Sequence, residues 1–301
     1  MAKTDVIPLD LNFQGMTHTI AAYLIRHSAG AVLVECGPGS TIQALQAGLS
    51  GNGLAASDVT HVLLTHIHLD HAGAAGWFAR QGAHIFVHPV GAPHLANPEK
   101  LLASAGRIYG DRMSSLWGEF LPVPEASMTT PRDGEEIVIG SLRFVAIDTP
   151  GHADHHYAYL FEDTCFSGDV GGVRIGSHRY LRVPMPPPEL HLGKWRQSVA
   201  RLRREQFTRI APTHFGFYDD PAWQLSAVER ALDDAERWLE AQMAANVPVE
   251  ELRRRFAGWM DDQGRQQNFG PDLQKAYELA NPPGMSADGL LRYWRKFRTP
   301  A

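Results

Sequence analysis

Over the first two-thirds of the chain, apolar residues either alternate with polar ones or run together in short bursts. THTIAAYLIR and AVLVEC, within residues 17–36, are β-rich runs parted by the turn signal His27-Ser28-Ala29-Gly30, and they predict two strands. A Gly37-Pro38-Gly39 turn follows, then Ser40 and Thr41 as helix caps before GPGSTIQALQAGL takes on helical spacing. VTHVLLT at 59–65 predicts a buried strand, GAAGWFARQG at 73–82 a helix and HIFVHP at 84–89 another strand. Residues 91–132 read mostly as helix and loop. EEIVIG, LRFVAIDT, HYAYLFE and TCFSGD then have the short connections of an antiparallel meander.

Residues 171–189 form an irregular loop ending in Pro184-Met185-Pro186-Pro187-Pro188. HLGKWRQSVARLRR at 191–204 is an amphipathic helix and TRIAPTH at 208–214 a last short strand. From Pro221 the strand signals stop. WQLSAVERALDDAERWLEAQM is a strong helix, followed by weaker helical stretches. The pattern predicts an α/β domain over residues 1–217 and a helical region over 218–301.

Composition narrows the class. A chain of 301 residues with 44% hydrophobic and 20% charged residues can bury a full core without staples. A net charge of −5 argues against bulk binding to nucleic acid or to an anionic membrane. Arginines cluster at 196–204, 253–255 and 292–298. Asp233, Asp234, Glu236, Glu250 and Glu251 nearby favour solvated, ion-paired helix faces over a nucleic-acid surface. No apolar run approaches the roughly 20 residues of a membrane span, and MAKTDVIPLD has no apolar signal core. Cys36 and Cys165 make no disulfide framework. A cytoplasmic location is the expectation. Tryptophans at 195, 223, 238, 259 and 294 predict helical core or a homodimer interface.

Histidine is the unusual count, at 15 residues. Thr65-His66-Ile67-His68-Leu69-Asp70-His71 leaves the strand at 59–65. In extended backbone, positions i and i+2 face the same way, so His66 and His68 converge. Asp70 and His71 precede the helix, where Asp is also a good cap. At this chain's His and Asp frequencies, HxHxDH arises by chance in roughly two such chains per thousand, so chemistry outweighs a solvated loop. Asp148-Thr149-Pro150-Gly151-His152, Ser167-Gly168-Asp169 and Pro212-Thr213-His214 each put a His or Asp at a strand end. Imidazole and carboxylate suit Zn²⁺, Fe, Mn or Co.

With these elements in this order, the chain resembles the metallo-β-lactamase-fold superfamily in its dinuclear hydrolase branch, which includes glyoxalase II-like and lactonase-like enzymes. The matched motifs are THIHLDHAG, GH at 151–152, GD at 168–169 and TH at 213–214, and the resemblance covers roughly residues 15–217. It implies an αββα sandwich followed by the C-terminal helical region. It also implies two divalent metal ions, zinc foremost, with manganese or iron as alternatives. His66, His68 and His152 would bind the first, and Asp70, His71 and His214 the second, with Asp169 bridging. The Pro150-Gly151 turn favours His152 over His155 and His156 as the third ligand. Glu35 and Cys36 stand where the family more often has Asp-Thr-Gly, which bears on support of the metal loop. The lactonases' Tyr three residues after the bridging Asp is Gly172 here, and glyoxalase II's thiol-conjugate residues are not identifiable.

The implied reaction is hydrolysis of a small ester, thioester or lactone by a hydroxide bridging two cations about 3.5–4 Å apart. Asp70 would orient that hydroxide or carry its proton. Arg174, His178 and Arg179, just after Asp169, are the candidates for holding an anionic substrate. Phosphodiester hydrolysis on the same centre, iron-dependent redox chemistry and a non-catalytic metal scaffold stay open as alternatives.

Overall fold

Two-residue alternation sets the two faces of every strand. The computed structural model describes residues 4–299. Strands β1 (Val6–Asp10), β2 (Ala21–His27), β3 (Gly30–Val34), β4 (Val59–Leu63), β5 (His84–Phe86) and β6 (Met128–Thr129) form one sheet in that order. β1–β2–β3 is antiparallel, and β3–β4–β5–β6 is parallel. The second sheet runs in the order β11-β10-β9-β8-β7. Its members are β7 (Glu136–Ile139), β8 (Leu142–Asp148), β9 (Tyr157–Phe161), β10 (Thr164–Phe166) and β11 (Arg209–Ala211). The meander is antiparallel as its short turns require, and β11 joins β10 in parallel after a helical crossover.

The helices cover the outer faces. α1 (Ile42–Gly51), α2 (Leu69–Ala72), α3 (Ala75–Arg80), α4 (Ala92–Ala96), α5 (Glu99–Tyr109) and α6 (Met113–Trp117) come from the first half. α7 (Leu192–Leu202), α8 (Pro221–Ala244), α9 (Val249–Gln266), α10 (Pro271–Ala280) and α11 (Pro283–Phe297) come from the second. On β2, Ala21, Tyr23 and Ile25 meet Phe144, Tyr157 and Phe166 between the sheets. Ala22 and Leu24 face the other way, into a core with Leu45, Leu49 and Phe78. A third core joins Ile147, Trp195 and Val199 to Leu225, Val228, Leu232 and Phe256. The result is the αββα sandwich expected from the sequence.

Two differences from the sequence pattern have local causes. β1 and β6 were not expected: β1 is a sheet edge that carries Pro8, and β6 has two residues. The helix expected over 73–82 begins earlier and is broken. α2 already contains Asp70 and His71, so these residues sit within a helical turn rather than before it. Gly73 separates α2 from α3, and a Cβ there would lie 2.5 Å from the Leu69 carbonyl oxygen and 2.7 Å from Pro38 Cα.

After β11, every further regular element among the described residues is a helix. α8, α9 and α11 share the core of α7, while α10 packs Ala276, Tyr277 and Ala280 against Val173, Ile175 and Tyr180. Arginines in and at the end of α7 and in the helices after it are engaged with acids: Arg196 with Asp233 and Glu236, Arg203 with Glu229, Arg253 with Asp288, and Arg255 with Glu251, though Arg230 is in no ion pair among the described residues. No helix among the described residues is long and apolar enough to cross a membrane. A fragment ending at residue 217 would expose Trp195, Val199 and Leu202, so it is expected to aggregate on expression. A soluble, cooperatively melting fragment in a sedimentation and calorimetry test would show instead that residues 1–217 fold alone.

Candidate metal centre

β4 ends at Leu63, the chain bends at Thr65, and His68, with φ of −61° and ψ of 154°, precedes α2 in extended conformation. His66 and His68 meet on one side, as the sequence predicts. His66 Nε2 lies 2.9 Å from His68 Nδ1, and His152 Nε2 lies 2.9 Å from the same atom. Gly151 makes the turn that delivers His152. Its φ is +141°, and a Cβ there would stand 2.3 Å from Trp195 Cα. Asp169 sits in the short helical turn Gly168–Gly171 after β10, and His214 follows β11.

Asp169 stands between two groups of side chains. Its Oδ2 faces His152 Nε2 at 3.3 Å and His66 Nε2 at 4.0 Å. Its Oδ1 faces His71 Nε2 at 3.4 Å and His214 Nε2 at 3.5 Å. Asp70 Oδ2 completes the second group, 3.4 Å from His214 Nε2 and 3.6 Å from His71 Nε2. Within each of the sets His66–His68–His152 and Asp70–His71–His214, the candidate ligand atoms lie within 4.8 Å of one another.

The outward nitrogens are held by the protein. His152 Nδ1 pairs with the Pro184 carbonyl at 2.8 Å, and His214 Nδ1 with the Thr19 carbonyl at 2.7 Å. His71 Nδ1 meets Glu35 Oε1 at 3.0 Å. Carbonyl and carboxylate acceptors fix the proton on the outer nitrogen, which leaves the inner lone pair free. Inside, His71 Nε2, His214 Nε2 and Asp169 Oδ1 are buried without a hydrogen-bond partner. Buried polar atoms are rarely left so, and a divalent cation would satisfy all three. Imidazole and carboxylate donors fit zinc, manganese or iron alike.

Glu35, with φ of +68°, ties the loops from behind. Its Oε1 accepts from the Thr65 hydroxyl and, at 3.0 Å, from Thr213 Oγ1, so the residues preceding His66 and His214 share one carboxylate with His71. Glu35 also lies within ligand range of His66 and His71, but it meets the outer nitrogen of His71 rather than the inner one. The expectation that Glu35 and Cys36 bear on the metal loop has this physical form. Cys36 Sγ donates to the His71 carbonyl at 3.2 Å, and burial pushes its thiol far above the usual range.

Electrostatics divide the histidines. Burial and neighbouring imidazoles pull His66 far below the usual imidazole value and His68 down to about 3. Burial likewise lowers His152, against the pull of Asp169. Burial also acts on His71, but Asp70, Asp169 and Glu35 outweigh it and raise its pKa; Asp169 and Asp70 do the same for His214. Burial opposes ionisation of Asp169, yet His71, His152 and His214 hold it well below the carboxylate range.

Arg174, His178 and Arg179 are not brought to this cluster, which corrects the expectation for them. Arg174 is buried and bonded to Asp220 at 2.5 Å, beneath the Tyr218 ring. Arg179 reaches the same carboxylate from the surface, and His178 packs on Phe269. The loop turns these side chains towards α8 and α10 before returning to the histidines at Pro184. His155 lines the cavity beside His68, and His156 is fully buried next to His66. His155 Nε2 pairs with Glu189 at 3.4 Å and His156 Nδ1 with Thr149 Oγ1 at 2.8 Å.

A cavity of about 340 Å³ opens on His68, Asp70, His152 and Asp169. Sequence reasoning missed its other walls. α5 supplies Lys100, Leu101, Arg107 and Tyr109, and residues 279–285 supply Leu279, Pro282 and Met285. Tyr109 Oη meets Met285 Sδ at 3.3 Å, so α5 and α11 are joined across the cavity. α5 carries apolar residues at helical spacing, but no sequence signal says which of its cations face the site.

A two-sheet sandwich with a His–Asp cluster gathered at its strand ends defines a metal-binding αββα protein. The sequence profile described as "Metallo-beta-lactamase superfamily" matches residues 17–214, and the chain belongs to that superfamily, whose members are generally hydrolases. Metallo-beta-lactamase fold-containing protein ST1585 of Sulfurisphaera tokodaii is 28% identical over 178 residues, 56% of this chain and 66% of that protein. Lactamase-like protein adaB of Aspergillus niger is 30% identical over 184 residues, 60% of this chain and 44% of that protein. The chain thus spans just under two thirds of ST1585 and less than half of adaB. The crystal structure of a metallo-beta-lactamase family protein from Thermus thermophilus superposes with a TM-score of 0.65 at 22% identity, covering 97% of this chain and 93% of that one. That fold likeness runs on past residue 214 into the C-terminal helices.

The two groups should differ in how they take up cations. His66, His68 and His152 are already neutral, so zinc binding there is expected to be flat between about pH 6 and about pH 8. His71 and His214 hold protons to a higher pH, and a cation must displace them. Binding to their group should therefore weaken as pH falls, with proton release. Calorimetric titration of the metal-free chain in buffers of different ionisation enthalpy checks this; two steps with equal pH dependence would contradict it.

Proposed function

We propose that this chain is a metal-dependent hydrolase holding two divalent cations, zinc foremost, and acting on a small ester, thioester or lactone that carries an anionic group. The observation that carries this is the division of Asp169, with Oδ2 turned to His66 and His152 and Oδ1 to His71 and His214. A carboxylate so placed suits a bridge, with His66, His68 and His152 on one cation and Asp70, His71 and His214 on the other. The bound cations supply Lewis acidity and a water acidified towards neutral pH.

The chain's own residues supply the rest. Asp70 lines the cavity with its side chain 21% exposed, against 5% for Asp169. It is therefore the carboxylate that can orient a water or carry its proton while the substrate is bound. The Pro184 and Thr19 carbonyls and Glu35 hold the imidazoles in one tautomer through the reaction. Leu101, Ile108 and Pro186 offer an apolar wall, with His94 beside them. Lys100 and Arg107 are exposed on α5, and neither takes part in an ion pair among the described residues. They take over the anion-holding role first expected of Arg174 and Arg179, whose shared partner is Asp220.

The test is elemental analysis of protein purified without added metal, then a panel of thioesters, lactones, carboxylic esters and phosphodiesters. Two equivalents of zinc, with turnover of a carbonyl substrate lost on chelation, are expected. Phosphodiester turnover alone, or one equivalent of iron without hydrolysis, would replace this function with another. Asp70→Ala is expected to lower kcat by about 10²–10⁴-fold. Full turnover with both cations retained would remove Asp70 from proton handling.

The double variant Lys100→Ala/Arg107→Ala separates recognition from chemistry. For an anionic substrate its KM should rise by about tenfold with kcat little changed, while a neutral analogue is unaffected. Equal kinetics for the anionic substrate would show that α5 holds no charge of the substrate.

A further inference from the structure

A second cavity, of about 290 Å³, lies between α8, α9 and residues 179–185, and it shares no lining residue with the cavity at the histidines. Arg182 forms part of its wall and is 3% exposed. Arg182 Nε donates to Tyr180 Oη at 3.0 Å and Nη2 to the Met260 carbonyl at 3.5 Å, while Nη1 is buried with no partner. No ion pair among the described residues involves it. Arg174, equally buried, has Asp220. Burying a guanidinium without a counter-charge is costly, so an unpaired one beside an open cavity points to an anion supplied from outside.

The rest of the wall fits that anion. Arg179 and Arg230 stand at the same cavity, and Arg230 joins no ion pair among the described residues. Asp234, also in the wall, is held by Arg237. Trp223 and Trp259 supply flat apolar surface. The planar guanidinium fork matches a carboxylate, and indole faces match an aromatic ring. A space of this size suits a ligand of one or two rings. We propose that this cavity binds a small aromatic carboxylate, its carboxylate on Arg182 and its ring against Trp223 and Trp259. The site is independent of the metal centre and of the reaction proposed there.

The probe is 1-naphthoate, titrated into the full chain and followed by tryptophan fluorescence and calorimetry. Saturable binding of one equivalent is expected, unchanged by chelation and unchanged in Lys100→Ala/Arg107→Ala. Arg182→Met should weaken it by about tenfold or more, since a charged hydrogen-bonding partner is lost. Should Arg182→Met fail to fold, Arg182→Lys and the exposed Arg230→Ala serve in its place and should weaken binding severalfold. No saturable binding to the wild-type chain would overturn the proposal. So would full-strength binding in the folded Arg182 and Arg230 variants, or loss of binding in Lys100→Ala/Arg107→Ala, which would put the anion in the other cavity.

Discussion

Loop ends from both sheets have to meet within a few ångströms, and Glu35 is the buried group around which three of them do so. Its single oxygen Oε1 serves Thr65, Thr213 and His71, which come from the ends of β4 and β11 and from α2. A buried carboxyl oxygen is stabilised when donors take up its lone pairs. Here the partners of Oε1 are residues that carry or adjoin the inner imidazoles, while Oε2 is buried without a hydrogen-bond partner. His66, His71 and His214 are therefore tied together through one buried oxygen. The left-handed backbone at Glu35 is the local strain that aims it there.

The same logic explains why the cluster needs both sheets. Three imidazoles are oriented by acceptors far away in sequence: His152 by Pro184, His214 by Thr19 and His71 by Glu35. None of these acceptors belongs to the motif that carries the histidine. The inner face of the cluster thus brings the inner nitrogens of His66, His68 and His152 close together on one side and pairs His71 and His214 with Asp70 and Asp169 on the other, where a cation takes the place of their protons. Fold and metal centre support each other, since the sandwich holds the donors in place and a bound cation would satisfy them.

Much of this was legible along the chain. The β-rich runs at β2 and β3 and the short-connected meander β7–β10 predicted the strands, the family resemblance implied the layers, and the i, i+2 spacing of His66 and His68 predicted their convergence. The strand-end positions of His152, Asp169 and His214 marked the rest. What stayed hidden depends on distant contacts. Arg174 looked like a substrate residue because it follows Asp169 by five positions, yet Asp220, on a different segment, claims it. Lys100 and Arg107 looked like ordinary surface cations, because nothing local tells which face of α5 looks onto the histidines. The helical turn Leu69–Ala72 before Gly73 was not in the pattern, and the close approach of Leu69 and Pro38 that leaves no room for a Cβ at Gly73 is not reported by spacing.

The order of the chain separates two properties that are usually discussed together. Every candidate ligand lies at or before His214, whereas the part of the roof that faces α5 across the cavity comes from residues 279–285. During synthesis at about 5–20 residues per second, some 3 to 13 seconds pass between the emergence of the last ligand and that of this part of the roof. One wall of the cavity is thus made after every candidate ligand, while the α5 wall with Lys100 and Arg107 is made before His152, Asp169 and His214. Changes confined to the end of α10 and the start of α11 can therefore redirect what enters while leaving every loop at the histidines untouched. Evolutionary drift in selectivity has a separate stretch of sequence in which to occur.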